Sequence, residues 1–313
     1  MEESLLSAPR SLVVATIMLA AAPFAGATML INPIFDSSVT ARGDSADIQA
    51  AFNYAASQFT SRYTDNITLN ITVSASSGVA LGQSTTQLYG SAFNYATIKV
   101  KLGNDASSAD DATANASLLA TDPTGGGLFV LTRAQAKALG VLSATSVASD
   151  GTFTFSSNQT YTFDPNNRAV SGKFDFIGVA MHEISEIMGR NEGLNTSGFP
   201  YYMIYDLFRY SSVGNRAMTA GASAYFSVNG GATNLKAFNT NSAGDYQDWA
   251  SGSNDAFNAF TSSGVEGLLS PVDIRTLDVI GYNLATPEPS EVLPFLLSFG
   301  FIGWKLRRQR NKG

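Results

Sequence analysis

The 313-residue chain has no cysteine and a single histidine, His182. The first absence excludes disulfides and every cysteine-rich zinc site; the second excludes any centre that needs two imidazoles. Charge is also scarce: Asp, Glu, Lys and Arg together make up 14 % of the residues, and the net charge is −6. Basic residues gather only near the C-terminal end, at Lys305, Arg307, Arg308 and Arg310, so no nucleic-acid partner is expected. No internal repeat of fixed period is visible. A metal bound by this chain must therefore be held mainly by carboxylates, and an exported form must rely on its core, not on disulfides.

The two ends read as addresses. In residues 1–27, Arg10 precedes an apolar stretch from Leu12 to Phe24, and Ala25-Gly26-Ala27 offers a small-x-small cleavage site, the pattern of a secretory signal peptide. In residues 287–313, Pro287-Glu288-Pro289 is followed by an apolar segment from Val292 to Trp304 and then by the basic cluster. A run of about 13 apolar residues is short for a full span, and the basic cluster holds its end in the cytoplasm, so transient membrane insertion through this C-terminal helix is expected. Residues 28–286 remain as the folded domain, with 28–44 as the place for a propeptide.

Helices and strands are mixed without a βαβ cadence, which predicts an α+β fold. Ile48, Ala51, Phe52, Ala55, Ala56 and Phe59 share one face of a helix over Ser45–Thr60. Ile67, Leu69, Ile71 and Val73 alternate with polar residues as a strand, and Thr97–Leu102 reads as another; Asp105–Ala114 reads as loop. Thr132 caps a short helix that ends at Gly140. Asp150-Gly151 opens a hairpin in which Phe153 and Phe155 face Tyr161 and Phe163, and a second hairpin turns at Asn229-Gly230-Gly231. A last helix starts at Ser270-Pro271, carries Asp273 in its first turn and stops at Gly281.

The chemistry concentrates in His182-Glu183-Ile184-Ser185-Glu186-Ile187-Met188-Gly189-Arg190. Asp175 is placed to cap a helix here, with Ile177, Met181, Ile184 and Met188 on its buried side. His182 and Glu186 stand at i and i+4, so they project from one face and can share a metal. Glu183, next to the first ligand, is where a general base acting on metal-bound water sits in H-E-x-x-H helices. Here Glu186 replaces the second histidine. Tyr205, Tyr210, Arg190 and Arg209 are available as oxyanion donors, although the aromatic stretch from Tyr201 to Tyr210 reads first as core.

The motif resembles the metal helix of zincins, and the order of helix, alternating strands and metal helix is similar to the metzincin and matrixin-like plan. The C-terminal segment resembles a PEP-CTERM sorting signal. Together they resemble PEP-CTERM-bearing bacterial metalloproteases over nearly all of residues 28–313. The resemblance implies a metzincin-like domain with a mixed twisted sheet, and secretion to the cell envelope or extracellular matrix of a bacterium. It also implies an exosortase-type sorting enzyme that recognises Pro287-Glu288-Pro289 and removes the tail. It makes His182 the first metal ligand and Glu183 the general base, with Glu186 in the place of the second histidine. Metzincin spacing puts the third ligand at Glu192. Asp245-Tyr246-Gln247-Asp248-Trp249 is similar to a downstream Ser-His-Trp of related exported proteins, which suggests Asp248, close behind Glu192; Asp206 is a weaker candidate.

Two carboxylates and one histidine would formally neutralise a divalent ion, making its water less acidic than in a three-histidine site. Each unit of lost pKa matching costs about a factor of ten in hydroxide, or about 1.4 kcal/mol. Zn²⁺ is the expected ion, and the oxygen-rich set also admits Mn²⁺ or Fe²⁺. The expected function is an exported metal-dependent endopeptidase acting on a peptide or protein substrate. The alternative is a catalytically impaired matrix or envelope binding protein that keeps a structural metal.

Overall fold

The computed structural model describes residues 28–285; the expected export signal at 1–27 and sorting tail at 287–313 lie outside the described residues. The chain begins with β1 (Leu30–Phe35), one helical turn α1 (Ser37–Thr40) and α2 (Ser45–Thr60). Helix α2 forms where the apolar spacing predicts, and Ile48, Phe52, Ala55 and Phe59 are all fully buried. β2 (Thr68–Ser76) then runs parallel to β1, burying Leu69, Ile71 and Val73. This is a βαβ crossover, contrary to the expectation of none. Pro33 conceals β1 in the sequence: it cannot donate to a ladder, and β1 accommodates it by lying at the sheet edge. Residues 28–44, the place considered for a propeptide, are built into this unit. Met29 and Val39 lie in the core, and the Ser38 hydroxyl accepts the Ala75 N–H at 2.7 Å.

Next come β3 (Gly82–Thr86), β4 (Leu88–Phe93), α3 (Tyr95–Asp105) and α4 (Ala109–Ser117). The expected strand at Thr97–Leu102 is thus helix. Asn94 caps it by accepting the Thr97 N–H at 2.9 Å, and Ile98 and Leu102, four apart, are buried while Val100 is exposed. The stretch expected to be loop at Asp105–Ala114 contains a capping box, Ser108 with Asp111, that starts α4. β5 (Phe129–Thr132) pairs with β4, and α5 (Arg133–Ala138) follows under its Thr132 cap as predicted.

The strand β6 (Gly151–Ser156) is the other correction. It forms no hairpin with Tyr161–Phe163; it runs parallel to β2 on one side and antiparallel to β3 on the other. The main sheet has the order β1-β2-β6-β3, with β3 as the antiparallel edge. Its aromatic side chains still collect the later ones: Phe155 meets Tyr161 edge-on with centroids 5.9 Å apart. The short parallel pair β7 (Tyr161–Thr162) and β8 (Phe174–Asp175) leads into α6 (Phe176–Ile187), the predicted motif helix. Helices α2 and α6 pack side by side, with Phe153 of β6 stacked on Phe52 and edge-on to Phe176.

The remainder holds a small sheet of β9 (Arg209–Ser212), β10 (Asn215–Arg216), β11 (Tyr225–Phe226) and β12 (Lys236–Ala237), ordered β10-β9-β11-β12. The hairpin expected at Asn229-Gly230-Gly231 joins β11 to β12. Helix α7 (Pro271–Val279) closes the fold, begun by a Ser270–Asp273 capping box and stopped at Gly281, whose φ is +115°. The architecture is mixed α+β. Among the described residues no helix is long and apolar enough to cross a membrane.

Close packing of α6 on the sheet depends on Gly151. A Cβ there would lie 2.6 Å from Ile187 Cγ1 and 2.9 Å from both its Cδ1 and its Cγ2. We predict that Gly151→Ala lowers stability by about 1–3 kcal/mol in urea unfolding and that the double variant with Ile187→Ala loses less than the sum of the two single losses. Additive losses in the double variant would contradict the contact.

Candidate metal centre

Helix α6 presents its apolar face, Ile177, Met181, Ile184 and Met188, to the core as predicted. Its other side floors a cavity of about 540 Å³, lined by His182, Glu183, Glu186 and Asp248 and walled by Gly82–Ser84 of β3 and by Phe260. Asp175 stands at the N-cap without making the cap hydrogen bond. Its carboxylate accepts instead from Arg168 at 2.7 Å and from the Gly267 N–H at 2.9 Å, tying the helix start to the loop before α7.

His182 Nδ1 is 2.9 Å from the Ala256 carbonyl oxygen, a partner that only accepts, so the proton sits on Nδ1 and Nε2 faces the cavity. Nε2 lies 3.3 Å from Glu186 Oε1 and 3.5 Å from Asp248 Oδ1. Donors held about 2.1 Å from a tetrahedral ion are about 3.4 Å apart, so these separations are those of ligands around one metal. Among the described residues this trio is the one group of three or more such side chains with donor atoms that close together. Each carboxylate is also oriented from outside the trio. Glu186 accepts from Ser84 Oγ at 2.7 Å and from Gln247 Nε2 at 2.9 Å; Asp248 accepts from Arg190 Nη1 at 2.5 Å. The residues fit a divalent ion: one imidazole and two carboxylates converge, with neighbours that hold them in place.

Of the candidates for a third ligand, the structure brings Asp248 to the site and leaves Glu192 and Asp206 outside it. The turn after α6 decides this. Gly189 adopts φ +111°, and Leu194 and Asn195 are also left-handed, so the chain curls away from the cavity. Glu192 ends 3.8 Å from Arg209, and burial pushes its carboxyl up to about 7 despite that cation. Asp206 is buried beneath the same turn, where it accepts the N–H groups of Gly193, Leu194 and Met203; burial lifts it to about 6. Of the residues considered as oxyanion donors, Tyr205, Tyr210, Arg190 and Arg209 are all fully buried, and none lines the cavity.

Sequence reasoning missed Ser84, Gln247 and the Ala256 carbonyl. Gln247 adjoins Asp248 in the stretch already singled out and was accessible there. Nothing in the polar run of β3 distinguished Ser84, and a carbonyl acceptor leaves no trace in residue type.

Charge in the metal-free site is balanced internally. Burial opposes a charge on His182, but Asp248, Glu186 and Glu183 overcome it and raise its pKa to about 10. Burial likewise opposes ionisation of Glu186, yet His182 and Arg190 bring it down to about 2. Burial and the neighbouring Glu186 push Glu183 well above the ordinary carboxylate range. His182 and Arg190 thus face Glu186 and Asp248, and burial favours the protonated form of Glu183 and also raises Asp248. Comparison with family models, with curated proteins and with solved structures finds no match.

The pH dependence follows from these directions. The raised His182 stabilises the metal-free fold fully below its unfolded value of about 6.5 and loses that contribution as pH rises toward about 10; the raised Glu183 acts in the same sense. A metal needs His182 neutral, so its affinity rises over the same window. We predict that the increase in Tm produced by zinc is larger at about pH 8.5 than at about pH 6.5, while Tm without metal falls. Equal zinc increments at the two values would contradict this.

Proposed function

We propose that the protein is an exported metal-dependent endopeptidase with a zincin-like, metzincin-type catalytic domain. The observation that carries this reading is the convergence of His182, Glu186 and Asp248, with Glu183 beside them, on the floor of an open cavity. The antiparallel edge strand β3 lends further support. It borders that cavity, and an extended peptide laid along such an edge gains main-chain hydrogen bonds. Zn²⁺ is the favoured ion, with Mn²⁺ or Fe²⁺ compatible with the oxygen-rich donors. The N-terminal signal, and a tail cut by an exosortase-type enzyme, would deliver the protein to the bacterial envelope or matrix.

In this mechanism His182, Glu186 and Asp248 hold the ion, which when bound supplies Lewis acidity for the attack of water on a peptide carbonyl. Glu183 takes the proton from the attacking water and passes it to the departing amine. Gly82 leaves room for its side chain: a Cβ there would come within 2.7 Å of Glu183 Oε1 and 2.4 Å of Val179 Cγ1. Burial beside Glu186 favours the protonated form of Glu183 without metal; beside a bound dication that proton affinity would fall, freeing the carboxylate to act as base.

A second reading, a binding protein of the matrix with a structural ion, draws on the Arg190–Asp248 ion pair, which satisfies part of the donor set without metal. The two separate on Glu183. For the enzyme, Glu183→Gln abolishes cleavage of a casein or fluorogenic peptide substrate by about 10²–10⁴-fold while the metal content stays at the wild-type level. Metal-loaded wild type with no cleavage above the Glu183→Gln variant would leave the binding reading.

A further inference from the structure

We propose that Arg190 is a resident counter-cation that makes a two-carboxylate metal site workable. The inference rests on the metal-site reading above and assigns that site a further functional residue. Arg190 is fully buried, with its guanidinium carbon 4.4 Å from the centroid of the Phe257 ring. Nε donates to Ser185 Oγ at 2.7 Å, and Ser185 in turn donates to the His182 carbonyl at 2.6 Å. Nη1 donates to Asp248 at 2.5 Å, and Nη2 lies 3.6 Å from Glu186 Oε1. One guanidinium therefore spans both carboxylates that converge on His182.

The charge count changes accordingly. A dication with Glu186 and Asp248 alone sums to zero; with Arg190 it sums to +1. That is also the charge of a dication held by two histidines and one glutamate, the set known to support peptidases. Arg190 thus offsets the second carboxylate and restores positive charge where Lewis acidity needs it. Before metal arrives, it keeps two like charges together in a buried site.

Arg190 supplies charge as well as placement: it orients the Asp248 carboxylate, while Glu186 and the backbone around Asp248 are located by other means. Glu186 is held by Ser84 and Gln247. The backbone around Asp248 is pinned independently: its carbonyl accepts the Asn239 N–H at 2.8 Å, the Trp249 N–H bonds the Phe257 carbonyl at 2.9 Å, and Trp249 Nε1 bonds Asp273 at 2.6 Å.

Zn²⁺ titration by calorimetry on wild type, Arg190→Lys and Arg190→Gln tests this with a readout independent of catalysis. Removing a positive charge beside a dication tightens its binding, so Arg190→Gln should lower the Zn²⁺ Kd by about tenfold or more. Its metal-free Tm should fall, and its zinc-induced rise in Tm should exceed that of wild type. Arg190→Lys keeps the charge but loses the planar fork, so a Kd within about threefold of wild type is the result expected if charge and not fork geometry is what the site needs. If Arg190 only positions ligands, both variants bind Zn²⁺ about 10–100-fold more weakly, which overturns the proposal. Should Arg190→Gln fail to fold, Arg190→Lys decides: a wild-type Kd upholds the proposal and a tenfold weaker one overturns it. Absence of Zn²⁺ binding by wild type instead overturns the metal-site reading itself.

Discussion

Three carboxylates, Glu183, Glu186 and Asp248, are buried within reach of one another around a single imidazole. Buried like charges do not coexist unless cations or protons neutralise them, and the surrounding structure supplies both. Arg190 and a protonated His182 offset two of the charges, and Glu183 keeps its proton. A divalent ion would offer another solution to the same constraint: it would take the place of the proton on His182, with Arg190 beside the carboxylates.

The fold brings the participants from well-separated stretches. Helix α6 provides His182, Glu183 and Glu186; β3 provides Ser84; the segment after β12 provides Gln247 and Asp248; and the Ala256–Phe257 loop provides the carbonyl under His182 and the ring under Arg190. The aromatic stretch from Tyr201 to Tyr210 works at a distance. Tyr205 packs edge-on to Trp249 and Phe238, which fixes the chain carrying Asp248. The site is therefore coupled to the small second sheet as well as to the main one.

The motif helix, its buried face and the last helix with its cap were legible because each rests on spacing within a few residues. The segments misread were those in which local pattern and tertiary context disagree. Thr97–Leu102 alternates like a strand, but burial selects only Ile98 and Leu102, and the Asn94 cap commits it to helix. Pro33 disguised an edge strand, and with it the βαβ crossover. Local spacing did not settle which of the two leading candidate carboxylates joins His182 and Glu186. Glu192 has the expected spacing, but left-handed residues after α6 turn it toward Arg209, while Asp248 arrives from a remote loop. The counter-charge role of Arg190 depends on the same long-range contact.

The most direct measurement is anomalous diffraction at the zinc edge from crystals of the mature domain grown with Zn²⁺. The account predicts one strong peak about 2.0–2.2 Å from His182 Nε2 and from a carboxylate oxygen of both Glu186 and Asp248, with Arg190 still paired to Asp248. A cavity free of anomalous signal, or a peak ligated by Glu192 in place of Asp248, would contradict it.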